Sequence, residues 1–93
     1  LPFLGYHRQD DNVVNVSTGR AARDKWGGID GCNIAQTEAS AGTLGSTFGC
    51  TRFKGCAAGT EVNWCEDTTP SPYKHDLRFD YRTPIWQWFN AFQ

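Results

Sequence analysis

The chain has 93 residues, nine basic against ten acidic for a formal net charge of -1, four cysteines and no methionine, which confines it to one small domain whose own core is marginally stable. That balance leaves no electrostatic footprint for nucleic acid, and no apolar run approaches the roughly 20 residues that a membrane-spanning helix needs. The cysteine content fits an oxidising, extracellular setting in which disulfides supply what apolar burial cannot, and without an initiator methionine the chain is expected to be processed or cut from something longer.

Pro2-Phe3-Leu4-Gly5-Tyr6-His7 is short and mostly apolar without clean alternation, the pattern of a strand buried on both faces of a parallel sheet. The polar cluster Arg8 to Asn12 ends it. Ser17 or Thr18 then caps a predicted helix through Trp26, with Ala22 and Trp26 on one face and Gly27-Gly28 as the stop. Residues 33 to 49, rich in Gly, Ser, Thr and Ala, read as an irregular surface excursion. Cys50 to Lys54 and Glu61 to Glu66 are β-prone and joined by a glycine-bearing turn, which predicts a hairpin or adjacent strands. A polar, proline-punctuated loop from Asp67 to about Arg82 leads to Thr83-Pro84, an N-cap with proline at the first helical position. The last helix, Ile85 to Phe92, is expected to bury Phe89 in a face shared with Ile85 and Phe92, with Trp86 and Trp88 flanking it.

Four cysteines allow three pairings. A hairpin around residues 55 to 60 sets Cys50 nearly opposite Cys65 and leaves Cys32 for Cys56, whereas a direct Cys50 to Cys56 bridge requires the intervening strand to fold back. Zinc is disfavoured, because there is no C-x-x-C pair and the cysteine intervals are irregular. Asn15-Val16-Ser17 is an N-glycosylation sequon, meaningful only in a eukaryotic secretory pathway. The aromatic content, 14% with four tryptophans, fits a filled core or a sugar-stacking surface.

A family resemblance is carried by several of these segments. His7-Arg8-Gln9-Asp10-Asp11-Asn12-Val13-Val14 resembles the H-G-x-x-D-x-x-V acid loop of secreted feruloyl esterases and the related polyhydroxybutyrate-depolymerase-like esterases. Gly19, Trp26 and Asp30-Gly31-Cys32 are similar to that family's G, W and N-G-C landmarks. Phe53-Lys54-Gly55-Cys56 and Val62-Asn63-Trp64-Cys65-Glu66 resemble its Y-x-G-C and V-V-W-C-E segments, and Ile85-Trp86-Gln87-Trp88-Phe89 its terminal I-W-x-F-F helix. The chain departs from the pattern at Arg8, at Tyr73-Lys74-His75 where the family has Gly-Gly-His, and in lacking a W-P-G after the histidine.

The resemblance implies an α/β fold: residues 1–93 as the C-terminal segment of an α/β-hydrolase catalytic domain, stapled by disulfides, with the nucleophile-bearing part absent. Strand, acid loop, helix, then strand, histidine loop and terminal helix is the order expected there. Matched residue by residue, Asp11 takes the acid position of a Ser-Asp-His triad and His75 the base, while Asp10 is the weaker acid candidate and His7 reads as structural. A neutral imidazole is needed to accept the serine proton, and a carboxylate on its far nitrogen fixes the tautomer and stabilises the imidazolium. No G-x-S-x-G occurs, so the serine is expected on an upstream segment of the same hydrolase, and the chain alone is expected to be inactive. Tyr73 and Tyr81 are candidate walls of an acyl or phenolic pocket. The implied substrate is an ester-linked phenolic acid on plant cell-wall polysaccharide, attacked without a cofactor or metal. The competing reading is a small disulfide-stabilised carbohydrate-binding module with Trp64, Tyr73, Tyr81, Trp86 and Trp88 as its platform, for which core packing of Trp86 and Trp88 is the simpler explanation.

Overall fold

The computed structural model describes residues 2–68 and 82–90. Its elements in chain order are β1 (Phe3–Arg8), α1 (Val16–Ile29), β2 (Asn33–Ala39), α2 (Gly42–Ser46), β3 (Thr51–Lys54), β4 (Val62–Asp67) and α3 (Arg82–Asn90). This is a small mixed α/β arrangement around a four-stranded sheet of order β1-β4-β3-β2. β1 and β4 run parallel from Phe3 opposite Val62 to Arg8 opposite Asp67, whereas β3 is antiparallel to both β4 and β2. Among the described residues no helix is long and apolar enough to cross a membrane.

β4 lies between two strands and under helices on both sides, so Val62, Asn63, Trp64, Cys65 and Asp67 are all buried. Because side chains alternate across a strand, its even-numbered residues and the odd-numbered residues of β1 face α1. There Phe3 stacks on Trp26 at 5.8 Å and the Arg23 guanidinium lies over the rings of Phe53 and Trp64. The other face carries Leu4, Tyr6 and Cys65 against Leu44, Phe48, Cys50, Ile85 and Trp88. Disulfides join Cys50 to Cys65 and Cys32 to Cys56, the pairing that the hairpin alignment predicts, and the pair fits an oxidising environment.

Five expectations from the sequence pattern are corrected. The cap of α1 is Asn15, whose side chain accepts the Ser17 N–H, and neither Ser17 nor Thr18. Gly27-Gly28 continue the helix; its end is at Gly31, with φ 70°, where Cys32 N–H donates to Gly27 O and Gly31 N–H to Gly28 O. A Cβ on Gly27 would stand 2.7 Å from Phe53, so that glycine serves close packing. The inward face of α1 comprises Gly19, Arg23 and Trp26, while Ala22 is exposed. Residues 33 to 49 are also more ordered than their composition implies, since they form β2 and α2, with the edge strand β2 held by pairing to β3.

The fifth correction concerns α3. Phe89 is 49% exposed and Trp86 63%, while Trp88 is 9% exposed. The buried stripe runs through Ile85 and Trp88, an i, i+3 pair, in place of the i, i+4 pair Ile85 and Phe89. Turning the helix this way buries an indole, the larger apolar surface, and leaves Phe89 edge-on to it with ring centroids 4.9 Å apart. Trp88→Ala is therefore expected to destabilise the complete protein by roughly 3–5 kcal/mol, and Phe89→Ala by no more than about 1.5 kcal/mol through the lost ring pair. Urea midpoints of the two variants measure this, and the reverse ranking would reinstate the face read from the pattern.

Candidate functional site

In a parallel strand pair, loops that carry chemistry leave from the carboxyl ends. β1 and β4 end side by side at Arg8 and Asp67, and the residues around those ends form the site.

Asp11 lies three residues past β1 with its side chain 4% exposed. Its Oδ1 accepts the backbone N–H groups of Val13 at 2.8 Å and Val14 at 2.9 Å, an Asx arrangement that lets one carboxylate oxygen organise the following loop. Oδ2 is 3.1 Å from the Nε2 of His7. Asp10 is placed differently: its side chain is 40% exposed and its Oδ1 is 3.4 Å from Arg8 Nε. Of the two neighbouring aspartates, Asp11 is thus the sheltered carboxylate with fixed partners.

His7 sits 12% exposed on the α1 face, its ring stacked at 6.4 Å on Trp64. Nε2 is 2.7 Å from the carbonyl of Val14. A Cβ on Gly19 would come within 2.8 Å of Nδ1, so that nitrogen is backed against α1. One ring nitrogen of His7 is thus engaged in the loop and the other backed against the helix.

Beneath the loop on the opposite face, Arg8 and Asp67 are both buried and joined by an ion pair from Nη1 to Oδ2 at 3.0 Å, and the Tyr6 hydroxyl donates to the same Oδ2 at 2.6 Å. Arg8, a departure from the family glycine, adopts extended β1 backbone with no positive φ. Toward α1, Glu66 receives Nε and Nη2 of Arg20 at 2.8 and 2.7 Å, Trp64 Nε1 at 3.1 Å and Gln9 Nε2 at 3.2 Å. The hydrogen bonds from Arg20 hold the Glu66 carboxyl below the usual carboxylate range, burial opposing them. Neither ion pair was singled out from the sequence. No sequence signal pointed to them: the register of β1 on β4, which sets Arg8 opposite Asp67, is a property of the fold.

The base candidate His75 and the pocket candidates Tyr73 and Tyr81 lie outside the described residues. Their segment follows Thr68 in the chain, directly after the end of β4 that adjoins Arg8. Asn15 is exposed at the start of α1. All four cysteines are in disulfides and so present no thiolate to a metal, and among the described residues no group of three or more His, Cys, Asp or Glu is arranged to hold one. Of the aromatics proposed for a sugar platform, Trp64 and Trp88 are buried and Trp86 is exposed, contrary to the core packing expected for Trp86.

No family model and no solved structure matches the chain. Among curated proteins it is 30% identical over 98 aligned residues to feruloyl esterase D of Neurospora crassa, an alignment that covers 99% of this chain and 33% of that protein. The similarity is distant, and the chain spans about a third of the length of the relative it matches.

Proposed function

We propose that residues 1–93 form a C-terminal segment of the catalytic domain of a secreted α/β-hydrolase, a serine carboxylic-ester hydrolase whose complete form releases ferulate-type acids from plant cell-wall polysaccharide. The observation that carries this reading is the placement of Asp11: a sheltered carboxylate at the carboxyl end of β1, beside the end of β4 from which the His75 segment departs. Similarity to a feruloyl esterase along nearly the whole chain supports the substrate class.

In this reading an upstream segment supplies the serine and the amides that hold the oxyanion. His75 takes the serine proton as the hydroxyl attacks the ester carbonyl, then returns it to the departing alcohol. Water deacylates the enzyme by the same route. Asp11 orients the imidazole and stabilises its charged form, Tyr73 and Tyr81 line the phenolic pocket, and the chemistry calls for no cofactor. Asn15 is a glycan acceptor if the protein passes through a eukaryotic secretory pathway.

The complete protein is expected to release ferulate from methyl ferulate and to lose that activity on treatment with a serine-directed fluorophosphonate, while the 93-residue chain alone shows neither turnover nor labelling. Inert complete protein that is retained on insoluble polysaccharide would instead establish the binding-module reading, from which the burial of Trp64 and Trp88 already subtracts two platform residues.

A further inference from the structure

Asp11 is held from two sides. Two backbone N–H groups fix Oδ1, but both belong to the loop that Asp11 itself organises, so they cannot tie that loop to the sheet. The Asp11 N–H donates to the Arg8 carbonyl at the end of β1, and the carboxylate itself is reached from the strand by the side chain of His7. Its Nε2 faces two acceptors at once, the Val14 carbonyl at 2.7 Å and Asp11 Oδ2 at 3.1 Å. A carbonyl oxygen has no proton to give, so the imidazole carries its proton on Nε2 and donates it into the loop.

The ring itself cannot wander. It belongs to β1, the element paired in register with buried β4, and stacks on Trp64, which is 6% exposed. Gly19 closes the third side: a Cβ there would meet Trp64 Cη2 at 2.7 Å and His7 Nδ1 at 2.8 Å. A rigid strand residue with one outward N–H is the support that a loop-borne catalytic carboxylate needs, because loops are less precise platforms than strands.

Resting on the proposed acid role of Asp11, we infer that His7 is a positioning residue for that carboxylate, its Nε2–H fixing the loop so that Asp11 meets the catalytic imidazole in register. Misplacement of a catalytic group by about 1 Å costs on the order of 100-fold in rate. The loss belongs in kcat, since His7 acts through Asp11 and its ring nitrogens face the loop and α1.

The test is made in the complete enzyme on methyl ferulate. His7→Phe keeps a ring over Trp64 and removes the N–H; kcat is expected to fall about 10- to 100-fold with KM changed less than about two-fold. His7→Gln places an amide N–H the same number of bonds from the backbone as Nε2 and is expected to restore kcat to within about five-fold of the parent. In an Asp11→Asn background His7→Phe should cost little more, because both act through one carboxylate. Should His7→Phe fail to fold, Gly19→Ala gives the same readout by pushing the ring aside, and it too should lose kcat while His7→Gln retains it. The inference is overturned if His7→Phe keeps parental kcat, if His7→Gln is no better than His7→Phe, or if the loss repeats in full in the Asp11→Asn background. Near-normal turnover by Asp11→Asn alone would sink the proposed triad and this inference together, whereas a crippled Asp11→Asn beside an unaffected His7→Phe removes only the inference.

Discussion

In the complete enzyme His75→Ala is expected to abolish turnover of a feruloyl or short-chain aryl ester, and Asp11→Asn to lower kcat by on the order of 10³- to 10⁴-fold with binding little changed. An amide in place of the carboxylate keeps the shape of the site but presents a donor where the imidazole N–H needs an acceptor, so the wrong tautomer is held and the imidazolium loses its counter-charge. Asp10→Asn should do much less, because the Asp10 carboxylate faces Arg8 and solvent. Steady-state kinetics on the three variants decide the matter. Greater damage from Asp10→Asn would mean that the acid register is off by one. Near-normal turnover by His75→Ala would dispose of the triad altogether.

The second large effect is on stability. Asp67→Ala removes an ion-pair partner 3.0 Å from a guanidinium whose residue is 2% exposed, and breaking a buried ion pair from one side generally costs about 3–5 kcal/mol. Asp10, 3.4 Å from Arg8 Nε, offsets part of that, so the lower end of the range is expected. The Tyr6 hydroxyl loses its acceptor as well. Replacing both ions, as in Arg8→Met with Asp67→Leu, should recover most of the loss, since two packed apolar side chains avoid the desolvation that the pair incurs. Denaturant midpoints with unchanged slopes would establish this. A loss below about 1 kcal/mol for Asp67→Ala would place the pair in contact with water and remove it as the fastener of the two strand ends.

Where local chemistry controls conformation, the chain was readable. β1 pairs parallel to β4 as its unalternating apolar run predicts, although Phe3 to His7 are only partly buried where burial on both faces was expected. The turn between β3 and β4 aligns Cys50 with Cys65, and the preference for Asp11 over Asp10 rested on the family resemblance. Glycine was harder to read, because one residue type serves two purposes. At Gly31 it supplies a positive φ that ends α1, whereas at Gly27 it supplies the missing Cβ that lets Phe53 approach. Only the neighbours distinguish these cases.

By itself the sequence determined the strand and helix types whose patterns are self-contained and the disulfide framework that the hairpin permits; Asp11 was reached through the resemblance of its loop to a family motif, and its shelter came from the fold. Tertiary structure alone decided β2, whose residues 33 to 39 are all exposed and become a strand by hydrogen bonding to β3. It also chose the face of α3, since 85-88 and 85-89 are both adjacent pairs on a helix and the shape of the cluster around Leu44 and Cys65 selects Trp88. The pairing of Arg8 with Asp67 across 59 residues, and of His7 with Asp11 over Trp64, likewise awaited the fold. Charged and polar side chains carry no periodic signature of their partners; strand register brings those partners together, and burial then makes their pairing obligatory.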